Sequence, residues 1–155
     1  MLKNISTATN FVDEYPDYEW LPHLGSPQTV HYRDHNTVHF QIFDRAPDYV
    51  NKTARENFVV FSMSMIKQNP GMVFPLHSDT YYKFKQTHRV TGDIVRWCIF
   101  LQDWQPGHYF DMNQQPIVNW KKGDYVELKE GDLHRGSNSG NVPKYTAQIT
   151  GVLKN

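Results

Sequence analysis

From Phe58 onward, Gly- and Pro-bearing turns cut the chain into β-rich runs too short to be anything but strands, and this punctuation is its strongest constraint on fold. Val59, Phe61, Met63 and Met65 alternate with Val60, Ser62 and Ser64, the period of two expected of a half-buried strand. Pro70-Gly71 ends that run, and an apolar stretch through Leu76 follows it. Residues 94–101, 108–110, 116–120, 125–128, 133–137 and 145–152 read as further strands, with turns at Pro106-Gly107, Lys122-Gly123-Asp124 and Glu130-Gly131-Asp132. A charged connection covers residues 81–89. Many short strands with little helix after residue 57 predict a mainly β protein, an antiparallel double-sheet roll rather than a βαβ fold.

The first third is less regular. Residues 1–28 mix Pro16, Pro22, Pro27 and Gly25 with Phe11, Tyr15, Tyr18 and Trp20 without a period, which predicts an irregular packed arm. Residues 29–33 and 37–43 flank Asp34-His35-Asn36 and read as a hairpin. Residues 48–56 have the composition of a short helix. His31, His35 and His39 would line up as a zinc face on a helix, but Asn36-Thr37-Val38 favours turn and strand, where that alignment is lost. The expected organisation is one domain over residues 1–155, with the arm, hairpin and helix in 1–57 and the roll in 58–153.

Lys plus Arg equals Asp plus Glu at 16 each, so no global field recruits duplex nucleic acid or an anionic membrane. The single Cys98 allows no internal disulfide and sits in an apolar run, so it reads as a small buried hydrophobe in a reducing compartment. Without a charged-then-apolar leader pattern or an apolar span of ~18 residues, the expectation is a cytoplasmic protein not held in a membrane.

The stretch with chemistry is Pro70 to Asp79, where the apolar run ends in His77-Ser78-Asp79. On a strand, residues two apart share a face, so an imidazole and a carboxylate are presented together. With 8 His and 11 Asp in 155 residues, roughly 0.6 such pairs arise by chance, so the surroundings must carry the assignment. They include His134, 55 positions after Asp79, which would complete a two-His-one-carboxylate triad of the kind that binds Fe(II) and leaves coordination positions open. Ten positions further on, Lys144 and Thr146 lie two apart on one strand, a cation and a hydroxyl able to bind a carboxylate.

With these residues in place, the chain resembles the Fe(II)/2-oxoglutarate-dependent oxygenases, in particular the small bacterial and phage type with a minimal double-stranded β-helix. The resemblance covers about residues 58–153. It rests on Pro70-Gly71 leading into His77-x-Asp79, Leu101-Gln102-Asp103-Trp104, Trp120-Lys121-Lys122-Gly123-Asp124, His134 with Asn138, and Lys144-x-Thr146 before Gly151. It implies a jelly-roll, cupin-like fold, iron on His77, Asp79 and His134, 2-oxoglutarate held by Lys144 and Thr146, and O2 as oxidant in the hydroxylation of a C–H bond. Many members carry Arg at the anchor; Lys144 supplies a point charge instead of a fork. Asp79 argues against the halogenating branch, which has Ala or Gly there.

Arg96 either faces the cosubstrate as a second cation or reaches solvent, and Tyr81 and Tyr82 either border the pocket or pack as ordinary amphipathic rings. Asn138 is read as holding a loop beside His134. His88 and His108 are read as surface or structural histidines, and Trp97, Trp104 and Trp120 as core. The expected partners are a small-molecule or peptide substrate, with the chain a monomer or homodimer. Two rivals stand beside this reading: a cupin-type metalloprotein that does not use 2-oxoglutarate, and a jelly-roll binding module without catalysis.

Overall fold

The computed structural model describes residues 2–10, 46–155 and, for the backbone alone, 38–41. Helix α1 (Asp48–Asn57) starts at Pro47, whose carbonyl accepts from the amides of Val50 and Asn51. It buries Tyr49, Val50, Thr53 and Ala54, positions that fall on one side of a 3.6-residue period. At Phe58 the backbone turns extended and the chain passes directly into β3.

Ten strands follow or flank this helix: β1 (Lys3–Asn4), β2 (Val38–Gln41), β3 (Phe58–Gln68), β4 (Met72–His77), β5 (Val95–Phe100), β6 (His108–Met112), β7 (Gln115–Ile117), β8 (Asp124–Lys129), β9 (His134–Asn138) and β10 (Lys144–Leu153). They form a major sheet in the order β1-β8-β5-β10-β3-β2 and a minor sheet in the order β4-β9-β6-β7. Every pairing is antiparallel. From β3 onward the chain crosses repeatedly between the sheets, which is the winding of a double-stranded β-helix, or jelly roll. The fold class expected from the strand pattern is the one found.

Two apolar layers hold the roll. The outer layer packs α1 on the major sheet through Val50, Ala54, Phe58, Met63, Met65, Trp97, Ile99 and Ile149. Trp97 stacks on Tyr125 at 4.4 Å and meets Phe58 edge-on at 5.0 Å. The inner layer, between the sheets, contains Cys98, Phe100, Phe110, Trp120, Val126 and Leu128, with Phe100 stacked on Trp120 at 4.0 Å. Each fully buried apolar side chain of this size contributes about 1.5–3 kcal/mol.

Several local expectations change. Strand β3 is buried on both sides: Met63 and Met65 face α1, while Ser64, Ile66 and Gln68 are buried as well, and Val59, expected on the inward face, is exposed. The connection at 81–89 contains a second helix, α2 (Tyr82–His88), bounded by Tyr81 and Arg89 with left-handed backbones. Trp120 lies beyond β7 and not within a strand, and Asn113 and Gln114, both at positive φ, make the β6–β7 hairpin turn that the sequence reading overlooked. Of the expected arm and hairpin, residues 2–10 contribute β1, which pairs with β8, and residues 38–41 contribute β2, which pairs with β3. The remainder, including His31 and His35, lies outside the described residues. Among the described residues no helix is long and apolar enough to cross a membrane.

Candidate metal centre

The register of the minor sheet brings the ligand candidates together. Gly71, at φ +87°, turns the chain from β3 into β4. Along β4, Met72 to Phe74 pair with β9 until Pro75, which has no amide to give the ladder, and the register shifts before His77 meets His134. The backbone freed at Pro75 has a second use, because its carbonyl lies 2.7 Å from His77 Nδ1. At the start of β9, His134 Nδ1 is in the same way 3.0 Å from the carbonyl of Asp132. A carbonyl only accepts, so both rings donate from Nδ1, which makes Nε2 the nitrogen suited to ligate a metal.

The loop before His134 is tied down on both flanks. Asp132 Oδ2 accepts from Lys129 N at 2.7 Å, and Asn113 both donates to Asp132 Oδ1 and accepts from Leu133 N. Asp79 lies just beyond β4 with its carbonyl accepting from Gly131 N. The ring centroids of His77 and His134 are 4.3 Å apart, and His134 Nε2 is 3.5 Å from Asp79 Oδ2. One donor atom from each of the three residues lies within 4.8 Å of the other two, and among the described residues no other group of His, Cys, Asp or Glu side chains converges this way. Two imidazoles and one carboxylate suit a catalytic divalent metal; a structural zinc site would need a fourth protein donor. Burial, reinforced by the neighbouring His77 and opposed by the hydrogen bond to the Asp132 carbonyl and by Asp79, holds the His134 pKa below its ordinary value.

Arg96, on β5 of the opposite sheet, reaches the centre as a partner of Asp79: its Nη1 is 2.5 Å from Asp79 Oδ2, and its Nε donates to Thr150 Oγ1 at 2.9 Å. Solvent is therefore not its destination.

Lys144 starts β10 and points inward, with only 1% of its surface exposed. Nζ donates to the carbonyls of Tyr109 at 2.7 Å and Ser137 at 3.3 Å, which among the described residues leaves one ammonium proton uncommitted. Burial lowers its pKa to about 7, and Cys98 acts weakly in the opposite sense. Thr146, two residues on, shares that face and is buried too. Gly136 opens the space beside the ammonium: a β-carbon there would lie 3.1 Å from Lys144 Nζ and 3.4 Å from Gln68 Oε1. Gly136 is two residues from His134 on β9, so the ammonium lies roughly 7 Å along the strand from that imidazole.

Two other site residues are placed differently from expectation. Tyr82 is 64% exposed at the start of α2, where its hydroxyl accepts from Gln86, and the inward ring is that of Tyr81. Asn138 sits at the end of β9 away from His134, where Nδ2 donates to the carbonyls of Gln68 and Val142 and Oδ1 accepts from Gly140 N. It fastens the loop that delivers Lys144. Sequence reading missed Gln68 and Gly136 at the site; a polar residue at an inward position of β3 was the available signal for the first. His108 is a buried structural residue with Nε2 against Val142 O, and Trp97 and Trp120 are core.

No protein-family model and no curated protein matches the chain. Solved structures share its fold. A Pseudomonas putida prolyl-4-hydroxylase aligns at TM-score 0.62 and 13% identity, over 91% of this chain and 82% of its own. A viral collagen prolyl hydroxylase from Paramecium Bursaria Chlorella virus-1, solved as a 2OG complex, aligns at 0.52 and 16% identity, over 76% and 80%. The cupin domain of Schizosaccharomyces pombe Cnp3 aligns at 0.52 and 10% identity, over 88% and 70%. At these identities the likeness is one of fold: the chain is a cupin-like double-stranded β-helix.

Proposed function

We propose that this protein is an Fe(II)- and 2-oxoglutarate-dependent oxygenase, most simply a hydroxylase. The observation that carries the reading is the placing of two features along β9: a His-Asp-His cluster at its start and, beside its next inward position, the buried ammonium of Lys144 from β10. His77, Asp79 and His134 would hold the metal through two Nε2 lone pairs and a carboxylate. Lys144, with Thr146 beside it, would hold the distal carboxylate of the cosubstrate. A five-carbon dicarboxylate measures about 5 Å between its terminal carbons, and its oxygens reach further, which suits the interval between His134 and Lys144. When bound, iron and 2-oxoglutarate supply the oxidising chemistry, coupling decarboxylation to the oxidation of a C–H bond by O2.

The chain's own residues set the conditions. The carbonyls of Pro75 and Asp132 fix the histidine tautomers. Lys144 is 1% exposed and lies beside the apolar layer in which Phe100 and Trp120 stack, so its pairing with a carboxylate would occur in a low dielectric where charge-assisted hydrogen bonds are strong. The prolyl hydroxylases among the fold neighbours agree with this reading. The test is iron content together with 2-oxoglutarate-dependent succinate release, with Lys144→Ala for comparison. Stoichiometric metal without succinate would favour the cupin-type alternative, to which the Cnp3 cupin domain gives support in fold alone. Absence of both would favour a non-catalytic binding module.

A further inference from the structure

Arg96 is the one charged residue of β5, and it lies on the inward face with Cys98 and Phe100. Three contacts fix its guanidinium: Thr150 Oγ1 at 2.9 Å, Asp79 Oδ2 at 2.5 Å, and the ring of Tyr81, whose centroid is 5.2 Å away. Tyr81 is itself locked by a hydrogen bond from its hydroxyl to Leu128 O. Two of the three supports are independent of Asp79, so the cation is in place whatever the carboxylate binds. The side chains of Arg96 and Asp79 are 20% and 21% exposed, so the pair is largely shielded from solvent.

We propose that Arg96 is a positioning residue that keeps Asp79 a one-oxygen donor. The guanidinium holds Oδ2, which is also the oxygen 3.5 Å from His134 Nε2, so Asp79 would meet a metal through Oδ1 and be prevented from closing on it with both oxygens. The inference rests on the metal and cosubstrate reading given above. A three-donor site leaves three positions at a six-coordinate metal, two for a chelating 2-oxo acid and one for oxygen. A carboxylate can bind with one oxygen or two, and the second mode would remove one of those positions. The arrangement has a cost, because a fixed cation beside a divalent metal lowers the affinity for that metal. Loss of Arg96 should therefore move two affinities in opposite directions, which loss of a purely structural residue would not do.

The experiment uses Mn(II) as the probe. Wild type, Arg96→Met and Thr150→Val are titrated with Mn(II), free ion being read by electron paramagnetic resonance, and the loaded proteins are then titrated with 2-oxoglutarate. Arg96→Met is expected to bind Mn(II) about 3- to 10-fold more tightly and 2-oxoglutarate at least about 10-fold more weakly. Thr150→Val keeps the charge but removes one support. It should hold Mn(II) within about 3-fold of wild type and weaken 2-oxoglutarate several-fold, and it decides the matter if Arg96→Met does not fold. Parallel loss of both affinities in Arg96→Met, or no change in either, overturns the proposal, as does unchanged 2-oxoglutarate affinity in Thr150→Val when that variant alone folds. A wild-type protein that takes up no Mn(II), or no 2-oxoglutarate once loaded, overturns instead the reading on which the proposal stands.

Discussion

Gly136 and Lys144 are fitted to each other: a single β-carbon on Gly136 would stand 3.1 Å from the lysine Nζ. The ammonium is the free end of a long side chain, so Gly136→Ala should fold, at a cost of about 1–3 kcal/mol for overpacking. Its larger effect should be on the cosubstrate, because Nζ must move from its place beside Gly136. Thermal unfolding and 2-oxoglutarate titration of the Mn(II)-loaded variant check this, with an affinity loss of about tenfold or more expected.

Lys144 carries a pH signature. Its folded pKa of about 7 lies below the ordinary 10.5 because the ammonium is buried. The cost of burying that charge is carried in full below pH 7 and is relieved as pH rises toward 10.5, so this group makes the ligand-free protein more stable with rising pH by up to about 1.4 kcal/mol per unit. Lys144→Met should abolish that slope just above pH 7, before the unfolded Cys98 thiol begins to titrate. A carboxylate ligand needs the charged lysine, so above pH 7 its binding takes up a proton and its affinity falls by as much as about tenfold per unit. Calorimetry in buffers of different ionisation enthalpy reads the uptake directly.

Truncating the same lysine separates its two roles. Lys144→Ala leaves a bound carboxylate unpaired, a loss of about 2–5 kcal/mol in cosubstrate binding, while metal uptake by His77, Asp79 and His134 should hardly change. Replacing any of those three by Ala should do the reverse, removing stoichiometric metal from a protein that still folds. Metal analysis and 2-oxoglutarate titration on the same samples distinguish the two patterns.

Asn138→Ala should be among the more damaging polar substitutions. It strips hydrogen bonds from the Gln68 and Val142 carbonyls and the Gly140 amide, at about 2–4 kcal/mol. Because these bonds hold the loop ahead of Lys144, 2-oxoglutarate affinity should fall in the same variant; denaturant unfolding and ligand titration measure the two losses. Cys98→Ala, by contrast, removes a small buried side chain from the inner layer and should cost about 1–2 kcal/mol with turnover intact.

What was legible in the sequence follows from the range of the interactions involved. His77-x-Asp79, His134 and Lys144 could be read because strand alternation and the Pro70-Gly71 and Gly131 turns are local, and they place each side chain at a strand end. The double-sheet roll was legible for the same reason. The outward placing of Tyr82 was not legible, since it follows from Tyr81, whose left-handed backbone starts α2 and turns the next ring to the surface. The role of Arg96 depends on β5 facing the end of β4 across two sheets, and that of Gly136 on a lysine eight residues away in another strand. Neither relation has a local signal. Asn138 was recognised as a loop fastener but assigned to the wrong end of β9, because a residue number does not say which of two neighbouring loops a side chain will reach.

The most direct measurement is an anaerobic titration of the protein with Fe(II) and then 2-oxoglutarate, followed by visible absorption. Binding of the 2-oxo acid to iron in the His77, Asp79 and His134 site should produce a weak charge-transfer band that saturates at one equivalent of each. Lys144→Ala should take up the same iron but need about 30-fold or more additional 2-oxoglutarate to develop the band. A protein that binds iron stoichiometrically yet shows no band at any 2-oxoglutarate concentration would contradict the oxygenase account.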